Sequence, residues 1–232
     1  MSRPANIRTS VHPWMPPKLK RIARDFGTKA PIRLLDVGCG NGSATRTKRW
    51  LPHCEYHGLD RGNYNNSDAD FALMDAFYDI DLEANIDGLA GVPAAAFDAI
   101  IIAHVIEHLH DGLDIIRALT AKLRPGGRIY IEWPCARSLG LPSMRGTLQF
   151  CDDVTHVRVY SVAEVANTLL DAGCRVISAG TRRDWPRILL TPANFAYQRL
   201  RDGRASAVTL WDIAGFAEYA YAEHQKFPTR ST

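Results

Sequence analysis

Long apolar runs are missing from this chain. No stretch of its 232 residues approaches 18 consecutive apolar residues, so a membrane-spanning helix is not expected. Cysteine is sparse and unpatterned. Cys39, Cys54, Cys135, Cys151 and Cys174 form no Cys-x-x-Cys pair, and their odd number fits no secreted disulfide scaffold. A reducing, cytoplasmic compartment is therefore expected. Charge of one sign is not in excess either: 28 basic residues face 25 acidic ones, which argues for neither a nucleic-acid nor a membrane partner. The two early arginines are not followed by an apolar core, so the start does not read as a secretory signal. No internal repeat is visible. What is present, 46% hydrophobic and 23% charged residues, is the balance of a globular domain able to bury a real core. The one local skew is the first 24 residues, with six cations and no acid; it reads as a solubilising, partly disordered arm.

Beyond Pro13, Pro16 and Pro17, a helix is predicted over 18–26. Apolar strands follow at 32–37, 56–59, 97–103 and 128–133, with a short one at 71–74. Between them a helix over 43–50 follows a glycine turn, 61–70 reads as loop, and a helix over 114–123 is stopped by Pro125-Gly126-Gly127. Strands that alternate with helices and are apolar on both faces indicate an α/β fold with a parallel sheet covered by helices. Residues 134–160 break the rhythm and read as a functional insertion. Ser161 and Glu164 form a capping box for the next helix. Residues 174–179 and 187–191 are expected to pair antiparallel at the sheet edge, with amphipathic segments at 192–201 and 207–224. The expected division is an arm and helix over 1–29, a ligand-binding domain over 30–192 and a helical extension over 193–232.

The most informative segment is Leu34-Leu35-Asp36-Val37-Gly38-Cys39-Gly40-Asn41-Gly42. An apolar strand ends in an acid and runs into Gly-x-Gly-x-Gly, which brings backbone close to a ligand and is expected to leave helix-terminal N–H groups free to meet it. A dinucleotide site would place its third glycine at position 43, which is Ser43. Asp36, two residues before the first glycine, would repel a pyrophosphate and suits a cationic group. Asp60, after the second strand, can accept from both hydroxyls of a ribose. A ribose joined to an ammonium-bearing, phosphate-free tail describes S-adenosylmethionine.

On these residues the chain resembles the class I S-adenosylmethionine-dependent methyltransferases, in their small-molecule branch associated with glycans and natural products. Residues 34–42 are similar to the first motif of that family, and Asp60 to its ribose-binding acid. Asp75 and Ala76 resemble its adenine-contacting acidic loop. Phe97-Asp98-Ala99-Ile100-Ile101 with His104-Val105-Ile106-Glu107-His108-Leu109 resembles the fourth-strand segment, and Leu123-Arg124-Pro125-Gly126-Gly127 the turn before the fifth strand. The resemblance covers about residues 30–192. It implies a Rossmann-like, mostly parallel seven-stranded sheet with an antiparallel last strand and helices on both faces. It also implies roles: Gly38, Cys39 and Gly40 line the methionine portion, Asp36 supports the glycine turn and the ammonium, and His104 touches the methionine end.

His104-Val105-Ile106-Glu107-His108 also spells an inverted zinc-protease pattern. It lacks the long helix and third ligand that such a site needs, so no zinc site is expected. A weaker alternative is a divalent ion held by Glu107 and His108 that lowers the pKa of an acceptor hydroxyl. Cys151-Asp152-Asp153-Val154-Thr155-His156-Val157-Arg158 lies in the irregular insertion and resembles a segment of the same branch. Histidine is the side chain whose reference pKa lies near neutrality, so His156 could receive the acceptor's proton. A purely structural role, pinning the loop through Asp152 or Asp153, stays open beside it. The expected activity is methyl transfer to a hydroxyl oxygen of a small molecule, a sugar or secondary metabolite. N- or C-methylation, an RNA or protein acceptor, and a non-catalytic cofactor-binding protein are the alternatives. The acceptor pocket is expected from 134–160, the 18–26 helix, Trp185, Phe195, Tyr197 and Trp211. These aromatics could equally serve a homodimer contact.

Overall fold

The computed structural model describes residues 11–225, so residues 1–10 of the basic arm lie outside it. Seven strands form one sheet: β1 (Arg33–Val37), β2 (Glu55–Asp60), β3 (Ala76–Asp79), β4 (Phe97–Ala103), β5 (Leu123–Pro134), β6 (Cys174–Thr181) and β7 (Ala217–His224). Their order is β3-β2-β1-β4-β5-β7-β6, and only β7 runs antiparallel to its neighbours. Helices α1 (Pro17–Phe26), α2 (Ser43–Lys48), α3 (Asp68–Phe71), α4 (Gly112–Thr120), α5 (Val162–Asp171), α6 (Trp185–Asp202) and α7 (Trp211–Ala214) join them. The expected seven-stranded α/β sheet is therefore present.

The apolar strands are buried on both faces because their side chains alternate between two cores. Leu34, Ala99 and Ile101 meet Leu19, Ile22 and Ala23 of α1. Leu35, Val37, Ile100 and Ile102 meet Ile115, Ile116 and Leu119 of α4 and Val165 and Leu169 of α5. Each such fully buried aliphatic side chain contributes about 1.5–3 kcal/mol. Ser161 caps α5 as expected, accepting from the Glu164 N–H while Glu164 accepts from the Ser161 N–H. Since β6 is parallel to β5, the strands ending at Val37, Asp60, Ala103, Pro134 and Thr181 all finish at one edge, which positions the site.

Three sequence expectations are corrected. Residues 71–74 are not a strand. Ser67 and Asp70 form a reciprocal capping box that starts α3 at Asp68, and the third strand begins only at Ala76. The helix over 114–123 lies earlier, at Gly112–Thr120. Leu123 already pairs with Phe97, and Arg128 next pairs with Ala99, so Pro125-Gly126-Gly127 is an irregularity within β5 rather than a helix stop. Gly126, at φ +85°, supplies its left-handed residue. Finally, residues 187–191 are not an edge strand. Asp184 and Pro186 start a helix that carries them, and the antiparallel partner of β6 is β7, within the segment read as amphipathic. Ala217-Glu218-Tyr219-Ala220-Tyr221-Ala222 carries little local preference, and pairing between β5 and β6 decides it. The sheet thus draws on residues beyond 192.

Candidate functional site

The glycine turn is closed upon itself. Gly38 N–H and Cys39 N–H donate to the Leu59 carbonyl at 2.8 and 3.4 Å, Asn41 N–H to the Tyr64 carbonyl at 2.8 Å, and Ser43 N–H to the Gly40 carbonyl at 3.3 Å. Gly40 N–H donates to Asp60 Oδ2 and Gly42 N–H to Asn66 Oδ1, each at 2.9 Å. The N–H groups of Ala44 and Thr45 at the start of α2 have no partner among the described residues, whereas every amide from 38 to 43 has one, so the expected free N–H groups belong to the helix terminus and not to the glycine turn. A pyrophosphate would find no donor there. Two glycines are required by geometry. A Cβ on Gly38, at φ +74°, would lie 2.4 Å from Val105 Cγ2, and one on Gly40 would lie 2.7 Å from the Tyr64 carbonyl oxygen.

Around the turn stand two carboxylates, Asp36 buried and Asp60 half-buried. Asp36, 1% exposed, accepts from the Ser43 hydroxyl at 2.6 Å and the Tyr56 hydroxyl at 2.7 Å. Its other oxygen faces the Lys18 ammonium of α1 at 3.9 Å. Asp60 Oδ1 takes the Arg61 N–H at 2.8 Å, and burial raises its carboxyl above the usual range. Burial and the Asp36 charge likewise push the Cys39 thiol up to about 12, so it is a wall and not a nucleophile.

Asp75 and Ala76 do not join this group. Ala76 pairs in register with His57, near the start of β2. Asp75 accepts from the Tyr56 N–H at 2.7 Å and from Lys48 at 3.1 Å. Burial works against its charge, but those donors outweigh it and hold the carboxyl low. Four residues at about 3.3 Å each separate it from the carboxyl end of β3. The acid opposite Asp60 in register is Asp79, which accepts from the Gly62 N–H at 2.8 Å.

Across the cleft, His104 follows β4 in a left-handed conformation, φ +58°, a strained choice for a non-glycine residue. Three bonds hold it: its N–H to the Glu132 carbonyl at 2.9 Å, Nδ1 to Glu107 Oε1 at 3.2 Å and Nε2 to Glu132 Oε1 at 3.0 Å. Burial alone would lower this imidazole, but the hydrogen bonds and charges of the two glutamates raise it to about 9. His104 is an imidazolium at neutral pH and cannot act there as a base. Glu132 is opposed by burial too, yet Arg182, His104 and the Tyr130 hydroxyl bring its carboxyl down to about 2. Arg182 Nε lies 3.5 Å from Glu132 and its Nη2 3.4 Å from Asp212. Trp211 lies 4.9 Å from the His104 ring and stacks on Phe216.

The insertion folds back over this network. Trp211 Nε1 donates to the Thr147 carbonyl at 2.7 Å. Asp152 gathers the N–H groups of Met144, Leu148 and Gln149, each at 3.0 Å, and the Ser143 hydroxyl. His156, nearly buried, donates Nδ1–H to the Phe150 carbonyl at 2.7 Å, which leaves Nε2 as the basic nitrogen. Nε2 stands 4.0 Å from Glu107 Oε1 and 3.9 Å from Asp153. The His108 ring lies 4.8 Å away, with Nδ1 on the Thr155 hydroxyl at 2.9 Å. Glu107 Oε2 is buried and has no hydrogen-bond partner. Glu107, His108 and His156 offer ligand atoms within 4.8 Å of one another. Of the aromatics expected around the acceptor, Trp211 is brought to this network, whereas Trp185 and Tyr197 are exposed on α6.

Sequence reasoning missed Lys18, Asp79, Glu132 and Arg182. An acid inside an otherwise apolar strand was a usable signal for Glu132, because a buried carboxylate needs a cation. Nothing local marks Arg182, which meets Glu132 only through the fold.

The family model described as "Methyltransferase domain" matches residues 11–179. A ubiquinone biosynthesis O-methyltransferase of Nitrosococcus oceani is 30% identical over 123 residues, 53% of this chain and 51% of that protein. The chain spans about half the length of the curated relatives it matches. An S-adenosylmethionine-dependent methyltransferase from Archaeoglobus fulgidus superposes with a TM-score of 0.54 at 18% identity, covering 88% of this chain and 90% of that one. The 1,6-didemethyltoxoflavin-N1-methyltransferase of Burkholderia thailandensis does so with a TM-score of 0.55 at 15% identity, covering 91% and 78%. At such identities the structures establish a common fold and leave the acceptor atom open.

Proposed function

The chain belongs to the methyltransferase-domain family, and on that premise we propose that it moves the methyl group of S-adenosylmethionine to a hydroxyl oxygen of a small molecule, a sugar or secondary metabolite. The observation that carries the choice of donor is the closed glycine turn between two carboxylates, the buried Asp36 and the half-buried Asp60. A glycine turn with no spare amide donors, between acids at the ends of β1 and β2, fits hydroxyls and an ammonium and repels phosphate. Asp60 would take the ribose hydroxyls, and Gly38, Cys39 and Gly40 would line the methionine chain. The amino-acid end would lie between Asp36 and Lys18, one charge for each of its own. The adenine-side role expected of Asp75 passes to Asp79, the β3 acid beside Asp60.

The bound donor supplies an already activated methyl carbon. The protein aligns the acceptor oxygen with it, excludes water and receives one proton. His156 Nε2, fixed as the basic nitrogen and standing 4.0 Å from Glu107 Oε1, takes that proton. His104, already protonated, instead fixes Glu107 in place. Incubation with isotope-labelled S-adenosylmethionine and paired hydroxyl and amine acceptors tests this reading. Label in the hydroxyl acceptor alone is expected, and label in amines alone would refute it.

A second reading has its own observation. The unpartnered Glu107 Oε2 and the closeness of Glu107, His108 and His156 suit a divalent ion that would lower an acceptor hydroxyl's pKa. Loss of turnover in chelator and its return with added metal would select it over the metal-free base. The five free cysteines, four of them buried, also fit a reducing compartment such as the cytoplasm.

A further inference from the structure

Among the described residues no helix is long and apolar enough to cross a membrane, yet α6 carries the apolar face of a helix that lies on one. At 3.6 residues per turn, Trp185, Leu189, Leu190, Tyr197 and Leu200 fall within an arc of about 140°. They are 66%, 77%, 41%, 56% and 88% exposed, whereas Thr191 on the opposite side is the one buried residue of the helix. Scattered exposed leucines need no explanation, but a stripe along four turns of one helix does.

Charge identifies what covers the stripe. Residues 182–204 hold six arginines and two aspartates, a concentration hidden in the chain's net charge. Asp184 is buried, and Asp202 is held by Arg201, which also stacks on Tyr197. Arg199 and Arg204 are exposed and make no hydrogen bond or ion pair among the described residues. Arg145 of the insertion borders the same cleft as Arg204. Arginines stand at both ends of the helix, Arg183 on the Asp212 and Ile213 carbonyls and Arg187 paired with Asp184 at the first, and the unpaired Arg199 and Arg204 at the second. Pairing with a second copy, parallel or antiparallel, therefore sets arginine against arginine. Residues 1–10 and 226–232 bring only Met1, Ile7 and Phe227 as large apolar side chains, with four cations and no acid.

We propose that the Trp185–Leu200 face of α6 docks the protein on an anionic bilayer surface, with the aromatic and leucine side chains in the interfacial layer and Arg199, Arg204 and Arg145 on lipid phosphates. Because α6 starts from the carboxyl end of β6 and Gln198 bonds Ser206 and Thr209 just before α7, docking brings the insertion toward the lipid headgroups.

Vesicle flotation of the full chain tests this, using phosphatidylcholine alone and phosphatidylcholine doped with phosphatidylglycerol. The wild type is expected to float with the anionic vesicles at low ionic strength and to be released by salt. The Arg199→Gln/Arg204→Gln variant should bind them about 30-fold more weakly, at roughly a factor of five per arginine. The Leu189→Glu/Leu200→Glu variant should stay in solution while retaining wild-type calorimetric binding of S-adenosylhomocysteine, which shows that it is folded. Failure of the wild type to float, or equal flotation of the leucine variant, overturns the proposal. So does a lipid-free dimer, seen by light scattering, that the leucine variant dissociates; that result would give the face to a second copy.

Discussion

On the β1–β3 side of the cleft, polar groups find partners close in sequence. Asp36 meets Ser43 and Tyr56, Gly40 meets Asp60, and Gly42 meets Asn66, all within a span of about thirty residues. On the β4–β7 side, one buried network draws on His104, Glu107, Glu132, His156, Arg182 and Asp212, over a hundred residues of chain. The first side is mostly backbone donors on carboxylates, a rigid mould. The second is charge against charge with little water, so removing one member strands its partners. Mutations should therefore act locally on the first side and spread on the second.

The largest expected effect tests the acceptor side directly. His156→Ala should lower kcat by about 10²–10⁴-fold, the usual worth of a positioned proton acceptor, with calorimetric binding of S-adenosylhomocysteine unchanged. Equal loss of binding would mean that the insertion, pinned by His156 to Phe150, is part of the mould. Glu132→Ala comes next. It leaves the half-buried His104 and the buried Arg182 without their shared anion and should cost about 3–5 kcal/mol in denaturant unfolding. A loss below 1 kcal/mol would show that water replaces the carboxylate.

The pH dependence separates the sides more gently. The His104 imidazole rises from 6.5 to about 9 on folding, so its contribution to stability is complete below pH 6.5 and drains away as pH climbs through 9. Glu132 falls from 4.5 to about 2, so its contribution is complete above pH 4.5 and is lost as pH drops toward 2. The clamp is thus strongest between about pH 4.5 and 6.5. Wild-type Tm should decline between pH 6.5 and 9. A His104→Asn variant, which tolerates the left-handed backbone, should show a flatter profile over that interval, and parallel profiles would remove the clamp.

The same contrast governs what the sequence revealed. Asp36, Gly38, Gly40 and Asp60 were legible because strand, turn and acid are adjacent in the chain, and their spacing encodes the geometry. His156 and Glu107 were legible as residues but not as neighbours. Their approach depends on how 134–160 folds over β4, which periodicity does not report. β7 was misread because an Ala/Tyr alternation has no strong intrinsic preference, and its place is set by β5 and β6 on either side. The exposed stripe of α6 was averaged away by composition.

The smallest expected effect concerns the two acids that flank β3. Asp75 immediately precedes β3 and Asp79 ends it, so the two acids, four residues apart, stand at opposite ends of this short strand. Asp75→Asn keeps an oxygen for the Tyr56 N–H and loses a partly exposed pairing with Lys48, worth at most about 1 kcal/mol of stability. Its S-adenosylhomocysteine affinity should match the wild type. Asp79→Asn should weaken that affinity by about 2–10-fold, the range for one hydrogen bond. Calorimetry on the two variants distinguishes them, and the reverse pattern would return the adenine-side role to Asp75. That outcome would require β3 to slide along β2 by most of its length when ligand binds, and the mould would then be no more rigid than the network facing it.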